Sequence, residues 1–109
     1  MNDKVKQEVG ALIKELNLGC SVEDFKDKLR SEQLALSGKY LSGFCTLSED
    51  FIREFQNELC WRNISSHQDI SVDFIIEFKH KIWLLNIYHR QDLGLGLIKK
   101  FLEVDSIYG

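Results

Sequence analysis

The sequence predicts an all-α fold: a compact helical domain of about six helices, in which two and a half helix-turn-helix repeat units pack on an N-terminal helical pair. Three observations predict it. Apolar residues recur at helical rather than strand spacing, proline is absent, and residues 47–69 are followed by a second copy of themselves. At 109 residues the chain has the length of one domain. Its hydrophobic share of 44% and charged share of 28% are those of an ordinary globular protein, which excludes low complexity and disorder.

Val5, Val9, Leu12, Ile13 and Leu16 fall at i, i+4, i+7, i+8 and i+11. That is one face of an α-helix, so the pattern predicts a helix over 4–17. Gly19 follows and suits the left-handed residue that often ends a helix. Ser21 then precedes Val22-Glu23-Asp24, an N-cap hydroxyl with acids in the first turn. Phe25 and Leu29 supply the apolar stripe of this second helix, and Ser31 is read as the start of a further short one carrying Leu34 and Leu36. Gly38 to Thr46, with two glycines and two aromatics, reads as a packed connection, and no domain boundary is visible. The domain is therefore divided into N-terminal helices (1–46), two full units (47–69 and 70–92) and a partial third (93–109).

Aligned without a gap, 47–69 and 70–92 are identical at ten of 23 positions: Ser48/Ser71, Asp50/Asp73, Phe51/Phe74, Ile52/Ile75, Glu54/Glu77, Phe55/Phe78, Asn63/Asn86, Ile64/Ile87, Gln68/Gln91 and Asp69/Asp92. Composition alone would give about one or two matches, so this is an internal repeat of the kind that dictates architecture. Ser48 and Ser71 stand at N-caps. Phe51, Ile52, Phe55 and Leu59 form a helical face that Phe74, Ile75, Phe78 and Ile82 repeat. One unit cannot bury such a face alone, so neighbouring units stack. The continuous apolar run 81–89 is the one place where a strand competes. Its counterpart 58–66 carries charges that break a strand pattern, and the helical reading is preferred. Leu93 opens a third copy that keeps Ile98 and Phe101 in register with Ile52 and Phe55.

The stretch LSEDFIREFQNELCWRNISSHQ (47–68) resembles a short helical repeat, about 23 residues long, found in tandem in phage and giant-virus proteins of uncertain function. LSEDFIREF, Trp61, Ile64-Ser65 and Gln68 carry the likeness. The second copy departs from it, with Trp83 one position early, Leu84 at the tryptophan site and Tyr88 in place of the serine. The resemblance spans 47 to about 101. It implies a viral or mobile-element origin and an interaction role, and it transfers no catalytic residue.

The net charge of −3 comes from 17 acids and 14 bases, and the excess lies in 47–69, with five acids against two bases. A duplex-binding domain carries a basic field because phosphate neutralisation supplies much of its affinity; this charge balance argues against nucleic acid, although Arg62, His67, Arg90, Lys99 and Lys100 outline a mildly basic edge. No apolar run reaches the roughly 18 residues of a membrane span, and Met1-Asn2-Asp3-Lys4 opens no secretory signal. Cys20, Cys45 and Cys60 form no C-x-x-C pair, so they read as three reduced, mostly buried thiols of a cytoplasmic protein, in the host cytoplasm if the protein is viral. No metal-ligand spacing links Cys60, His67, His80 and His89, and Gly94-Leu95-Gly96 lacks the rest of a dinucleotide fingerprint. No catalytic residue, metal or cofactor is therefore assigned.

Two readings of the aromatics compete. Trp61 and Trp83 either plug the seams between stacked helices or, with Tyr88, anchor a partner, as aromatics and arginines do at most interfaces. The partner-binding candidates are Trp61, Arg62, His67, Trp83, Tyr88, His89 and Arg90. The leading expectation is a small, non-enzymatic protein–protein interaction protein with a host or viral protein partner, in particular a phage-encoded inhibitor of a host defence or regulatory protein. The alternatives are a helical nucleic-acid-binding regulator and an immunity-type protein that neutralises a toxin. The short final unit leaves Leu97, Ile98, Phe101 and Leu102 to be covered by the first helix or by a homodimer contact.

Overall fold

The computed structural model describes residues 1–31, 37–88 and 90, and among them every regular element is an α-helix. Helix α1 (Asp3–Glu15) begins with Asn2, whose side chain accepts the Val5 N–H at 2.8 Å. It buries Val5, Val9 and Leu12, three of the five residues that predicted it. It ends two residues earlier than the periodicity suggests, and the terminator is not Gly19. Asn17 takes the left-handed conformation (φ 53°). Leu18 N–H then reaches Ile13 O at 3.0 Å and Asn17 N–H reaches Lys14 O at 3.2 Å, which together make a Schellman cap. Gly19 is also left-handed (φ 64°), but it turns the chain after the cap is complete.

Ser21 Oγ accepts the Asp24 N–H at 3.2 Å, and helix α2 (Phe25–Arg30) buries Phe25 and Leu29. The short helix expected from Ser31 onward falls on residues outside the described part. The expected connection at 38–46 is corrected: it is helix α3 (Gly38–Phe44), capped by Ser37, which accepts the Tyr40 N–H at 3.0 Å. The two glycines disguise the helix because glycine has poor helix propensity.

Gly38 owes its place to packing. A Cβ there would lie 1.8 Å from Glu58 O, so only glycine lets the start of α3 approach that backbone.

Helices α4 (Glu49–Glu54), α5 (Trp61–His67), α6 (Val72–Glu77) and α7 (Leu84–Tyr88) follow. The caps of α4 and α6 match as the repeat requires: Phe51 N–H to Ser48 Oγ at 3.1 Å and Phe74 N–H to Ser71 Oγ at 3.2 Å. Their ring pairs match too, with Phe51–Phe55 centroids 4.6 Å apart at 42° and Phe74–Phe78 centroids 4.7 Å apart at 43°. Phe51, Ile52, Phe55, Phe74 and Ile75 are fully buried. The run 81–89 supplies α7 rather than a strand, within its described residues.

The repetition begins earlier than residue 47. Helices α3, α5 and α7 start 23 residues apart, at Gly38, Trp61 and Leu84, and Leu41, Ile64 and Ile87 stand buried at one register position. Helix α5 packs between α3 and α7. The bonds between neighbours recur as well. Ser42 Oγ accepts Cys60 N–H at 3.0 Å, and Ser65 Oγ accepts Trp83 N–H at 2.9 Å. Asn63 Nδ2 donates to Lys39 O and Asn86 Nδ2 to Arg62 O. Glu8 of α1 accepts the Ser48 N–H, as Glu49 of α4 accepts the Ser71 N–H. Glu8 thus holds the cap of α4 as Glu49 holds that of α6.

Where a tryptophan would fall in the earlier unit the chain has Gly38. Phe25 of α2 covers Phe51 and Phe55 there, at 6.1 and 5.3 Å, as Trp61 covers Phe74 and Phe78 at 6.1 and 5.0 Å.

Candidate interaction surface

The stacking sorts charge. Helices α3, α5 and α7 read GKYLSGF, WRNISSH and LLNIY and contain no acidic residue. Helices α4 and α6 carry Glu49, Asp50, Glu54, Asp73 and Glu77. Arg53 is taken up by that acidic row: it donates to Glu77 at 3.0–3.2 Å and to Asp50 at 3.1 Å, with Glu49 at 3.9 Å. The hydrogen bonds to Glu77 foremost hold its guanidinium pKa above the ordinary value.

On the other row Lys39 and Arg62 meet no carboxylate among the described residues. Lys39, Cys60, Arg62, Asn63, Ser66, His67, Trp83 and Asn86 line one open groove of about 550 Å³, with no acid among them. Arg62, His67 and Trp83, three of the partner-binding candidates, therefore converge in it. The Arg62 guanidinium lies over the Trp83 ring at 5.6 Å, which holds a long side chain in one orientation. Among the described residues no carboxylate forms an ion pair with Arg62 or Lys39. Arg62, Ser66, Leu85, Asn86 and Arg90 line a second groove of about 430 Å³ beside the first.

The two tryptophans divide between the two readings. Trp61 is half-buried, stacks on Phe74 and donates Nε1–H to Gln56 O at 2.9 Å; it plugs a seam. Trp83 is 51% exposed and Leu85 72%, so Trp83 does not plug one. Arg90, another of the candidates, also ties the units together: Nη1 donates to Ser65 O at 3.2 Å and Gln68 O at 2.6 Å. Those carbonyls are the counterparts of Ser42 O and Cys45 O, which Gln68 Nε2 satisfies at 2.8 and 2.7 Å. The side chain of Tyr88 and all of His89 lie outside the described residues, as do Lys99, Lys100 and the partial third unit.

Sequence reasoning missed Lys39, Asn63, Ser66, Leu85 and Asn86, together with Tyr40 and Phe44, an exposed stacked pair on α3 with centroids 5.2 Å apart. Extending the 23-residue register upstream finds Lys39 at the position of Arg62.

Away from this row, Glu58 buries its side chain to 3% exposure, accepts from Arg30 Nε at 3.0 Å and, among the described residues, leaves Oε2 without a hydrogen-bond partner. The cysteines are half-buried rather than buried. Burial, and then the Glu15 carboxylate, raise the Cys45 pKa. Among the described residues no group of three or more potential ligands is placed to hold a metal ion, and no helix is long and apolar enough to cross a membrane. Compared with known protein families, curated proteins and solved structures, the chain matches none.

Proposed function

We propose that the chain is a small, non-enzymatic protein that acts by holding another protein against its α3–α5–α7 face. The observation that carries this reading is the exposure of Trp83 and Leu85 beside Arg62 on a helical row without acids. An indole and a leucine left in water contribute no burial energy to the fold and keep it for a partner, and tryptophan and arginine together are the residues that anchor interfaces. The resemblance of 47–68 to viral repeats supports a host protein as the partner, a defence or regulatory protein that the chain inhibits.

The test is affinity capture with the wild-type chain and with Trp83→Ala and Leu85→Ser as baits. One partner retained by the wild type and lost from both variants, with their far-UV circular dichroism unchanged, is the expected result. Equal retention by all three, or no enrichment at all, contradicts the reading.

A second reading, a helical nucleic-acid-binding regulator, is favoured by the same cations and by the stacking surface of Trp83. A mobility shift at low salt that weakens steeply as salt rises supports it over the first.

A further inference from the structure

Resting on the interaction reading, we infer that the groove between α3, α5 and α7 takes an extended acidic segment of the partner, its carboxylates paired with Arg62 and Lys39 and a neighbouring apolar side chain laid on Trp83. Three features of the groove point to that chemistry.

The first is charge complementarity. Lys39, Arg62 and His67 line the groove and, among the described residues, no carboxylate does, whereas Arg53 and Arg30 are each met by an acid of the chain itself. A cation left without an anion on a face that excludes acids is matched by an anion from outside. The second is spacing. Lys39 and Arg62 occupy the same register position on adjacent helices, and packed helices lie about 8–10 Å apart. Same-side residues of an extended chain recur about every 6.7 Å, so acids two residues apart reach both cations. The third is pre-organisation. Arg62 already lies over Trp83, so less rotamer freedom is lost on pairing than for a side chain free in water. A guanidinium offers paired N–H groups that a carboxylate takes bidentately.

A peptide is favoured over a nucleic acid by the charge of the remaining surface. The chain is −3 overall, and α4 and α6 turn an acidic row to solvent. A short acidic segment feels the few cations within a Debye length of about 8 Å, while a long polyanion also meets the acids beyond it.

The experiment is fluorescence anisotropy on the full chain with three labelled probes: a peptide alternating Glu with Gly and ending in Phe, the same peptide with Gln for Glu, and oligothymidine. The Glu peptide is expected to bind about tenfold or more tightly than the Gln peptide. Arg62→Gln and Lys39→Gln each weaken it about fivefold, and Lys14→Gln on α1 leaves it unchanged. Circular dichroism of each variant shows that it is folded. Equal binding of the Glu and Gln peptides, no binding of the Glu peptide by the wild type, or tighter binding of oligothymidine overturns the inference. Should protein capture be lost with Trp83→Ala yet persist with Arg62→Gln and Lys39→Gln, the interaction reading stands and the acidic occupant falls.

Discussion

At the scale of single residues, two glycines make opposite predictions. Gly38 sits where a Cβ would meet Glu58 O at 1.8 Å, while a Cβ at Gly10 meets nothing within 4 Å. Gly38→Ala is expected to destabilise by about 1–3 kcal/mol, because backbone rather than a yielding side chain must move. Gly10→Ala is expected to stabilise by about 0.5–1 kcal/mol, because alanine loses less freedom inside a helix. Urea denaturation of both variants checks the pair, and an equal effect of the two contradicts the packing described for α3. Cys45 makes a reactivity prediction. Its pKa is raised, first by burial and then by Glu15, so little of the reactive thiolate is present near neutrality. Iodoacetamide at pH 8 should modify Cys45 more slowly in the folded chain than in urea, by peptide mass spectrometry. The linkage has a definite sign: folding favours the protonated thiol, so its contribution is intact below the ordinary thiol pKa and is lost as pH rises through the raised value.

At the scale of elements, legibility followed the kind of signal each element carries. Helices α4 and α6 were legible because a serine cap and two phenylalanines four apart recur unchanged, and both caps and both ring pairs appear in the structure. Helix α7 was legible only through its counterpart, since an apolar run by itself does not distinguish helix from strand. Helix α3 was missed. Its Gly38 answers to a close contact with Glu58 that no local pattern reveals, and Ser42 makes its bond to Cys60, 18 residues away. The candidate site divides in the same way. Residue type alone singled out Arg62 and Trp83, but Lys39 and Asn86 belong to the groove only because α3, α5 and α7 share one register. The same division separates the tryptophans energetically. Trp61→Ala removes a ring stacked on Phe74 and tilted against Phe78 and should cost about 3 kcal/mol. Trp83→Ala removes a half-exposed ring and should cost less than about 1 kcal/mol. Chemical denaturation compares them, and equal costs would place Trp83 in a seam after all. Ser71→Ala, which removes the cap of α6, should cost about 1 kcal/mol.

At the scale of the whole molecule, stacking produces two faces of different chemistry from one short unit. The first helices bring Ser-capped, acid-rich turns to one row. The second helices bring cations, amides and an exposed aromatic to the other. Repeat proteins of this kind derive stability from each unit and from its contact with the next, so the contacts between units are where the account is most exposed. Cys60 and Trp83 stand just before α5 and α7, at positions whose N–H groups have no partner inside their own helices, and in the structure a serine from the preceding unit satisfies each. Amide hydrogen exchange followed by NMR tests this directly. The account predicts slow exchange at both Cys60 and Trp83, with Ser42→Ala releasing Cys60 alone and Ser65→Ala releasing Trp83 alone. Fast exchange at either amide in the wild-type chain, or release of both by one substitution, would contradict the repeat as the basis of the fold.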